Sequence, residues 1–422
     1  MTVKNFDLST RTRRGSPPSR RDEHRPGLRA RGLSANDRID LCRGIFAFLV
    51  VIAHAFEVTC GIHDPCRQHV SRQALDLIWG TVGTGIFYVM GFFVISGYCI
   101  HLSVARLLEA ERFPIKVYLV ARLSRILPLY YAALLFTMIV ELLIAPARPQ
   151  AWPNGLNPSV LISQFFVVQN LTQTYGSFAP SWSITNELIY YAIYGLLACF
   201  AMKRTELPAK VGMIWCLGTA ALMQTLYVTT ARTPVILSLG MLSGLGINWF
   251  LGTLVAAHAE SLKRSPTARV ASRAWLPLLA VAVWWNYQGK LPQQGVFLIS
   301  GLAFTLMLIR FLNAEGPGLP PVKPRWLEMS ITWLGLSSYP TYLFHGPILM
   351  LVGSAILRWG LIPDWRATWA VLSVSGISWG IALGLLAERP IMDWRSVMLR
   401  RLKAAHQGSP RKTPASVVSI RG

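Results

Sequence analysis

Two ionisable residues interrupt the first long apolar run of the chain. Arg43 stands at its start, in Asp40-Leu41-Cys42-Arg43-Gly44, and His54 lies deep inside it, in Ala53-His54-Ala55. A run of that length crosses a bilayer as a helix. The residues between the two rise about 16 Å, so Arg43 marks one membrane face and His54 sits past the middle, toward the other. Ionisable groups are costly in hydrocarbon, so an intramembrane His points to function unless a neighbouring helix satisfies it. His is also the side chain most used as a general base near neutral pH. Arg122, Arg125, Glu187 and His345 likewise sit in or beside apolar runs.

The elements that must position these groups follow from composition. Of 422 residues, 53% are hydrophobic and 14% charged, with a mean hydropathy of +0.41. This is the pattern of a polytopic membrane protein. The net charge of +22 does not point to nucleic acid, because the basic residues sit between and outside the hydrophobic runs. Residues 1–38, rich in Arg, Ser, Pro and Gly, read as a disordered basic tail without the apolar core of a cleaved signal peptide. Ten candidate spans follow, near 43–60, 80–102, 118–145, 181–201, 211–230, 235–257, 274–288, 294–313, 331–353 and 366–387. Residues 159–171 are apolar but too short to cross, and read as interfacial or re-entrant.

With the N-terminus inside, the inner segments are the two tails and the loops near 103–125, 202–210, 258–273 and 310–330. Each inner loop is more basic than its outer neighbours, as the positive-inside rule asks. The expected fold is an all-α integral membrane protein of about ten transmembrane helices in the plasma (inner) membrane, with both termini cytoplasmic. A membrane domain over 39–390 lies between tails at 1–38 and 391–422. Cys60 and Cys66 flank the first outer loop, where they either form a disulfide or remain free thiols. No Cys/His spacing of the structural-zinc type occurs, and no metal is expected.

On this topology the first span runs outward and the fourth runs inward from about residue 181. His54 and Glu187 then fall at similar depth, and the ninth span brings His345 into the same outer half. Arg43, Arg122 and Arg125 form a layer at the inner face. Plain structural roles stand beside these. The arginines serve equally as positive-inside anchors, Glu187 as a partner of a neighbouring helix, and Ser96 beside Gly97 as a small-residue packing site.

Five motifs in order resemble those of the acyltransferase-3 family of integral membrane acyltransferases, over about residues 38–390. The first is Arg43 with His54. The second is Phe92-Phe93-Val94-Ile95-Ser96-Gly97-Tyr98. The third is Arg122-Leu123-Ser124-Arg125 with Leu127-Pro128-Leu129-Tyr130-Tyr131 behind it. The fourth is Ser181-Trp182-Ser183-Ile184-Thr185-Asn186-Glu187, followed by Tyr190-Tyr191. The last is Ser338-Tyr339-Pro340-Thr341-Tyr342-Leu343-Phe344-His345. The chain departs from the family pattern at Met90, Asn186 and Leu188.

The resemblance implies an O-acyltransferase that uses acetyl-CoA or another acyl-CoA as co-substrate, with no bound cofactor. Its partners would be the bilayer and a hydroxyl acceptor on an exopolysaccharide, O-antigen, periplasmic glucan or other glycolipid, and not nucleic acid. Arg43, Arg122 and Arg125 would bind donor phosphates, for which guanidinium is suited. His54, Glu187 and His345 would be catalytic, with Glu187 orienting His54 as the carboxylate does in a triad. Asp40, Ser96, Trp182, Ser183 and Tyr342 would support them. Direct transfer and an acyl-His stage both stay open. The rival class is a secondary transporter or flippase, because His and Arg in membranes also line substrate paths. No obvious internal repeat of the transporter kind is present.

Overall fold

The computed structural model describes residues 33–63, 71–81, 85–109, 113–152, 157–201, 203–229, 233–289, 292–314 and 324–407. Among them there is no strand. The helices are α1 (Ala35–Ile62), α2 (Arg72–Thr81), α3 (Ile86–Leu107), α4 (Ile115–Ile144), α5 (Pro158–Phe165), α6 (Trp182–Cys199), α7 (Leu207–Thr229) and α8 (Pro234–Ala257). They continue as α9 (Ala259–Arg264), α10 (Pro266–Ala271), α11 (Trp275–Gln288), α12 (Gln293–Asn313), α13 (Arg325–Trp359), α14 (Trp365–Leu383) and α15 (Arg389–Gln407). Cys66 lies outside the described residues, and with it the question of a Cys60–Cys66 bridge.

Among the described residues, eight helices are long and apolar enough to cross a membrane: α1, α3, α4, α7, α8, α12, α13 and α14. The other two expected spans exist as helices. However, α6 carries Asn186 and Glu187 in its first turns, and α11 has 14 residues, about 21 Å against a hydrocarbon core of about 30 Å. Crossing helices need not be straight apolar rods when they are buried in protein: α13 has 35 residues with Pro340 and Pro347 inside it, and most of its length is buried.

Packing explains where the site forms. α1 lies along α13 and α14, α3 along α8 and α12, and α7 along α8. In place of a hydrophobic driving force, helices in lipid gain contact through small residues. At the α3–α8 crossing, a Cβ on Gly97 would overlap the Trp249 carbonyl, and one on Gly252 would overlap the Val94 carbonyl. α1 begins on a capping box, Asp37 N–H donating to Ser34 Oγ and Ser34 N–H to Asp37 Oδ2, which satisfies two of the orphan donors at its first turn.

Residues 157–181 fold back into the bundle. Backbone buried away from water must find partners, and side chains supply them here. Gln164 donates to Tyr130 Oη at 2.6 Å and to Ser181 Oγ at 2.8 Å, while its carbonyl accepts from Tyr175 N–H at 3.1 Å. Tyr130 donates to the Gln164 backbone carbonyl at 2.7 Å, and Gln169 to that of Ser181 at 2.7 Å. α6 therefore starts in the interior, not at a membrane face. At the other end of the chain, residues 391–407, expected as tail, continue as α15 along α4, with Arg395 donating from Nη2 to the Ala121 carbonyl at 2.9 Å.

Candidate functional site

The ionisable residues of the bundle form two layers. The first lies toward the end where α1 begins. There Arg43, Arg122, Arg125, Ser96, Glu187 and Tyr191 line a cavity of ≈130 Å3, together with Phe92, Phe93, Ile184, Ser183 and Tyr342. Its size is that of a few water molecules.

The three arginines differ in how they are held. Arg43 pairs with Asp40 one turn away at 3.4 Å. Arg125 pairs with the fully buried Glu388, on a π-helical turn over 384–388, and lies over the Tyr339 ring at 5.5 Å. Arg122 is buried, donates to Ser103 Oγ and lies over the Tyr118 ring at 5.5 Å. Among the described residues its Nε has no hydrogen-bond partner and its guanidinium forms no ion pair.

Glu187 belongs to this layer. Ser96 donates to it at 2.6 Å and Tyr191 donates to it as well, while the Trp249 indole donates to Ser96 at 3.2 Å. Ser96 is thus a clamp on a carboxylate. Trp182 packs edge-on against Phe93, ring centroids 6.4 Å apart. Asn186, a departure from the family pattern, accepts from Asn170 at 2.6 Å, and Met90 Sδ accepts from Asn248 at 3.0 Å.

The second layer contains both histidines. The rings of His54 and His345 stack with centroids 5.2 Å apart and 19° between planes. His345 is fully buried, and its Nδ1 donates to the Thr341 carbonyl at 3.1 Å. That assigns the proton to Nδ1 and leaves the lone pair on Nε2, which has no partner among the described residues. His54 Nδ1 meets Glu57 Oε2 at 2.9 Å, and the same oxygen accepts from the Trp152 indole at 3.1 Å. Tyr342 joins the layers. Its hydroxyl is 2.7 Å from Ser183 Oγ and donates to the Pro180 carbonyl at 2.8 Å, and its ring is 5.9 Å from that of His345.

The sequence expectation that Glu187 orients His54 is thus corrected: the carboxylate on His54 is Glu57. The reason is the inward start of α6. Ser183 is level with Tyr342, so Glu187, a further turn along, points to the arginines and not to the histidines. His54 with His345, and the three arginines with Ser96, Ser183 and Tyr342, are brought together. Sequence reasoning missed Glu57, Trp152 and Glu388. Glu57 was legible, three residues from His54 on the same helix face. Trp152 is separated from Glu57 by 95 residues, and nothing local announces it.

Fold and site together define a multi-pass helical membrane protein with polar chemistry inside the bundle. Residues 36–387 match the family model described as an acyltransferase domain, and the chain belongs to this acyltransferase-3 family. Membership makes it a membrane acyltransferase of the class that acylates hydroxyl groups. No curated protein and no solved structure matches it significantly.

Proposed function

We propose that the protein moves an acyl group, acetyl by default, from cytoplasmic acyl-CoA to a hydroxyl of a cell-envelope or exported polysaccharide or glycolipid. The observation that carries this is Arg122. A buried guanidinium is costly without an anion, and Arg122 lines the cavity with no carboxylate paired to it among the described residues, its contacts including a hydroxyl and an aromatic ring. A phosphate of the donor completes it, as guanidinium forks match phosphate oxygens. Arg43 and Arg125, already paired, add field and shape.

In this reading the end of the bundle where α1 begins faces the cytoplasm. The thioester threads the cavity past Phe92 and Ile184 and presents its carbonyl near Tyr342 and the histidines. The acceptor hydroxyl comes from the opposite side. His54 takes its proton, the oxygen attacks the thioester carbon, the C–S bond breaks, and the thiolate takes the proton back from the imidazolium. General-base help of this kind is worth about a hundred- to ten-thousandfold.

The test is donor dependence. Membranes containing the protein, given labelled acetyl-CoA, are expected to release free CoA and transfer label to envelope glycan. Mass spectrometry of glycans from a deletion strain should show loss of the same acyl group. Undiminished glycan acylation in that strain, or no thioester consumption in the membranes, would overturn the reading.

A further inference from the structure

Sequence patterns assigned no role to Glu57, yet its carboxylate is the most specific contact His54 makes. One oxygen, Oε2, takes both the His54 Nδ1 and the Trp152 indole N–H, at 2.9 and 3.1 Å. The indole is donor-only, so Trp152 fixes that oxygen as an acceptor. His54 must then turn its Nδ1–H to Glu57, which leaves the lone pair on Nε2. That nitrogen faces the start of α3, where a Cβ on Gly85 would come within 3.7 Å of it.

Trp152 is itself held from a distance. Its backbone carbonyl accepts from Arg148 Nη1 at 2.6 Å, and Arg148 Nε donates to the buried Glu141 at 3.0 Å. The other oxygen of Glu141 accepts from Ser177 N–H at 2.6 Å, where Gly176 has φ +47 and a Cβ would overlap the Glu141 carboxyl group. Residues 145–152 thus form a strap from α4 to α1, pinned by Glu141 and ending on Glu57. A salt bridge spent only on stability would not need a second donor aimed at the oxygen that holds the imidazole.

We propose that Glu57, fixed by Trp152, is the positioning carboxylate of His54. It sets the ring with its proton on Nδ1, keeps Nε2 free to accept the acceptor's hydroxyl proton, and neutralises the imidazolium while the C–O bond forms and the C–S bond breaks. The proton returns from Nε2 to the departing thiolate, so Glu57 takes no part in the proton transfer itself. This rests on the reading of His54 as the base.

The test uses the full-length protein in membranes, with acetyl-CoA as donor and release of free CoA plus glycan acylation as readouts. Glu57→Gln keeps an oxygen able to accept from both His54 and Trp152 but removes the charge. A structural role predicts near-normal turnover. The positioning role predicts kcat lowered about ten- to hundredfold, the scale of one charge-assisted hydrogen bond, with the donor KM unchanged. Glu57→Asp, which keeps the charge, recovers part of the loss. Trp152→Phe, which stays aromatic but loses the indole N–H together with part of the ring volume, lowers kcat with the same unchanged KM, and decides the matter should Glu57→Gln fail to insert. Normal kcat in a well-inserted Glu57→Gln variant, or in Trp152→Phe where that variant is used, overturns the proposal. His54→Gln is run alongside. If it is inactive while Glu57→Gln is active, only this inference fails. If His54→Gln is active, the base assignment fails first and this one with it.

Discussion

His54 and His345 stack ring on ring, 5.2 Å between centroids, from two helices that run in the same direction. The direction is read from their contacts: Asp40 lies against Gly335 near one end, and Val58 against Gly353 toward the other. The two rings are not equivalent. His54 has a carboxylate on Nδ1, whereas His345 has a backbone carbonyl. The first arrangement stabilises a positive ring as it forms; the second fixes a neutral tautomer.

The two histidines should therefore differ when replaced. His54→Gln keeps size and a hydrogen bond but cannot act as a base near neutral pH, and should lose transfer by about a hundred- to ten-thousandfold at normal membrane levels. His345→Gln should reduce it less, about ten- to hundredfold on the scale of one hydrogen bond to a charged group. Glycan acylation measured against protein level reads both, and full acylation by His54→Gln would transfer the base role to His345.

How much of this was legible before the structure depends on how local the signal is. The two layers, the arginines and the shared outer-half depth of His54 and His345 followed from helix rise and alternating direction; their ring-on-ring contact did not. Helix rise alone puts Glu187 in the outer layer with the histidines, because it starts the fourth span at a membrane face. Residues 157–181 carry the chain inward first, and the Gln164 and Tyr130 contacts that permit this join residues 34 positions apart. Trp152 and Glu388 likewise reach the site through tertiary packing, from positions with no periodic or spacing cue. The polar face that made α6 look marginal by hydropathy is the face that builds the cavity.

Close backbone approach at α3–α8 gives a stability prediction. At Gly97 a Cβ meets backbone, which cannot rotate away, so Gly97→Ala should destabilise by about 1–3 kcal/mol, the usual cost of overpacking. Gly218, in α7, has open space around its Cβ position, and Gly218→Ala should be neutral or slightly stabilising, since Gly is about 1 kcal/mol less favourable than Ala in a helix. Thermal melting in detergent compares them. Equal melting temperatures would show that the crossing can spread.

The parallel pair α1 and α13 constrains topology. Parallel crossings require an odd number of crossings between them, so α6 and α11 either both cross or both do not. Under the first, the segment with Lys263, Arg264, Arg269 and Arg273 is cytoplasmic, where basic residues are favoured; under the second it is outside. A thiol introduced by Ser265→Cys in a background without other reactive cysteines should resist an impermeant reagent in intact cells and react in inverted vesicles. Labelling in intact cells would leave eight crossings.

The proposed donor end offers a contrast between two neighbouring arginines. Arg125 is bound to Glu388, which is wholly buried. Arg125→Ala strands that carboxylate, and breaking a buried pair costs about 3–5 kcal/mol, so the expected result is less folded protein in the membrane. Arg122 has no carboxylate to strand among the described residues. Arg122→Ala should keep its protein level and lose donor affinity about ten- to hundredfold, the worth of a charge-assisted hydrogen bond or two. Arg122→Lys should recover only part, because an ammonium lacks the fork that grips two phosphate oxygens. The measurement is the acetyl-CoA dependence of CoA release, corrected for protein level. If Arg122→Ala keeps wild-type donor affinity, the arginine is an anchor of the helix end and the phosphate site must be sought at Arg43.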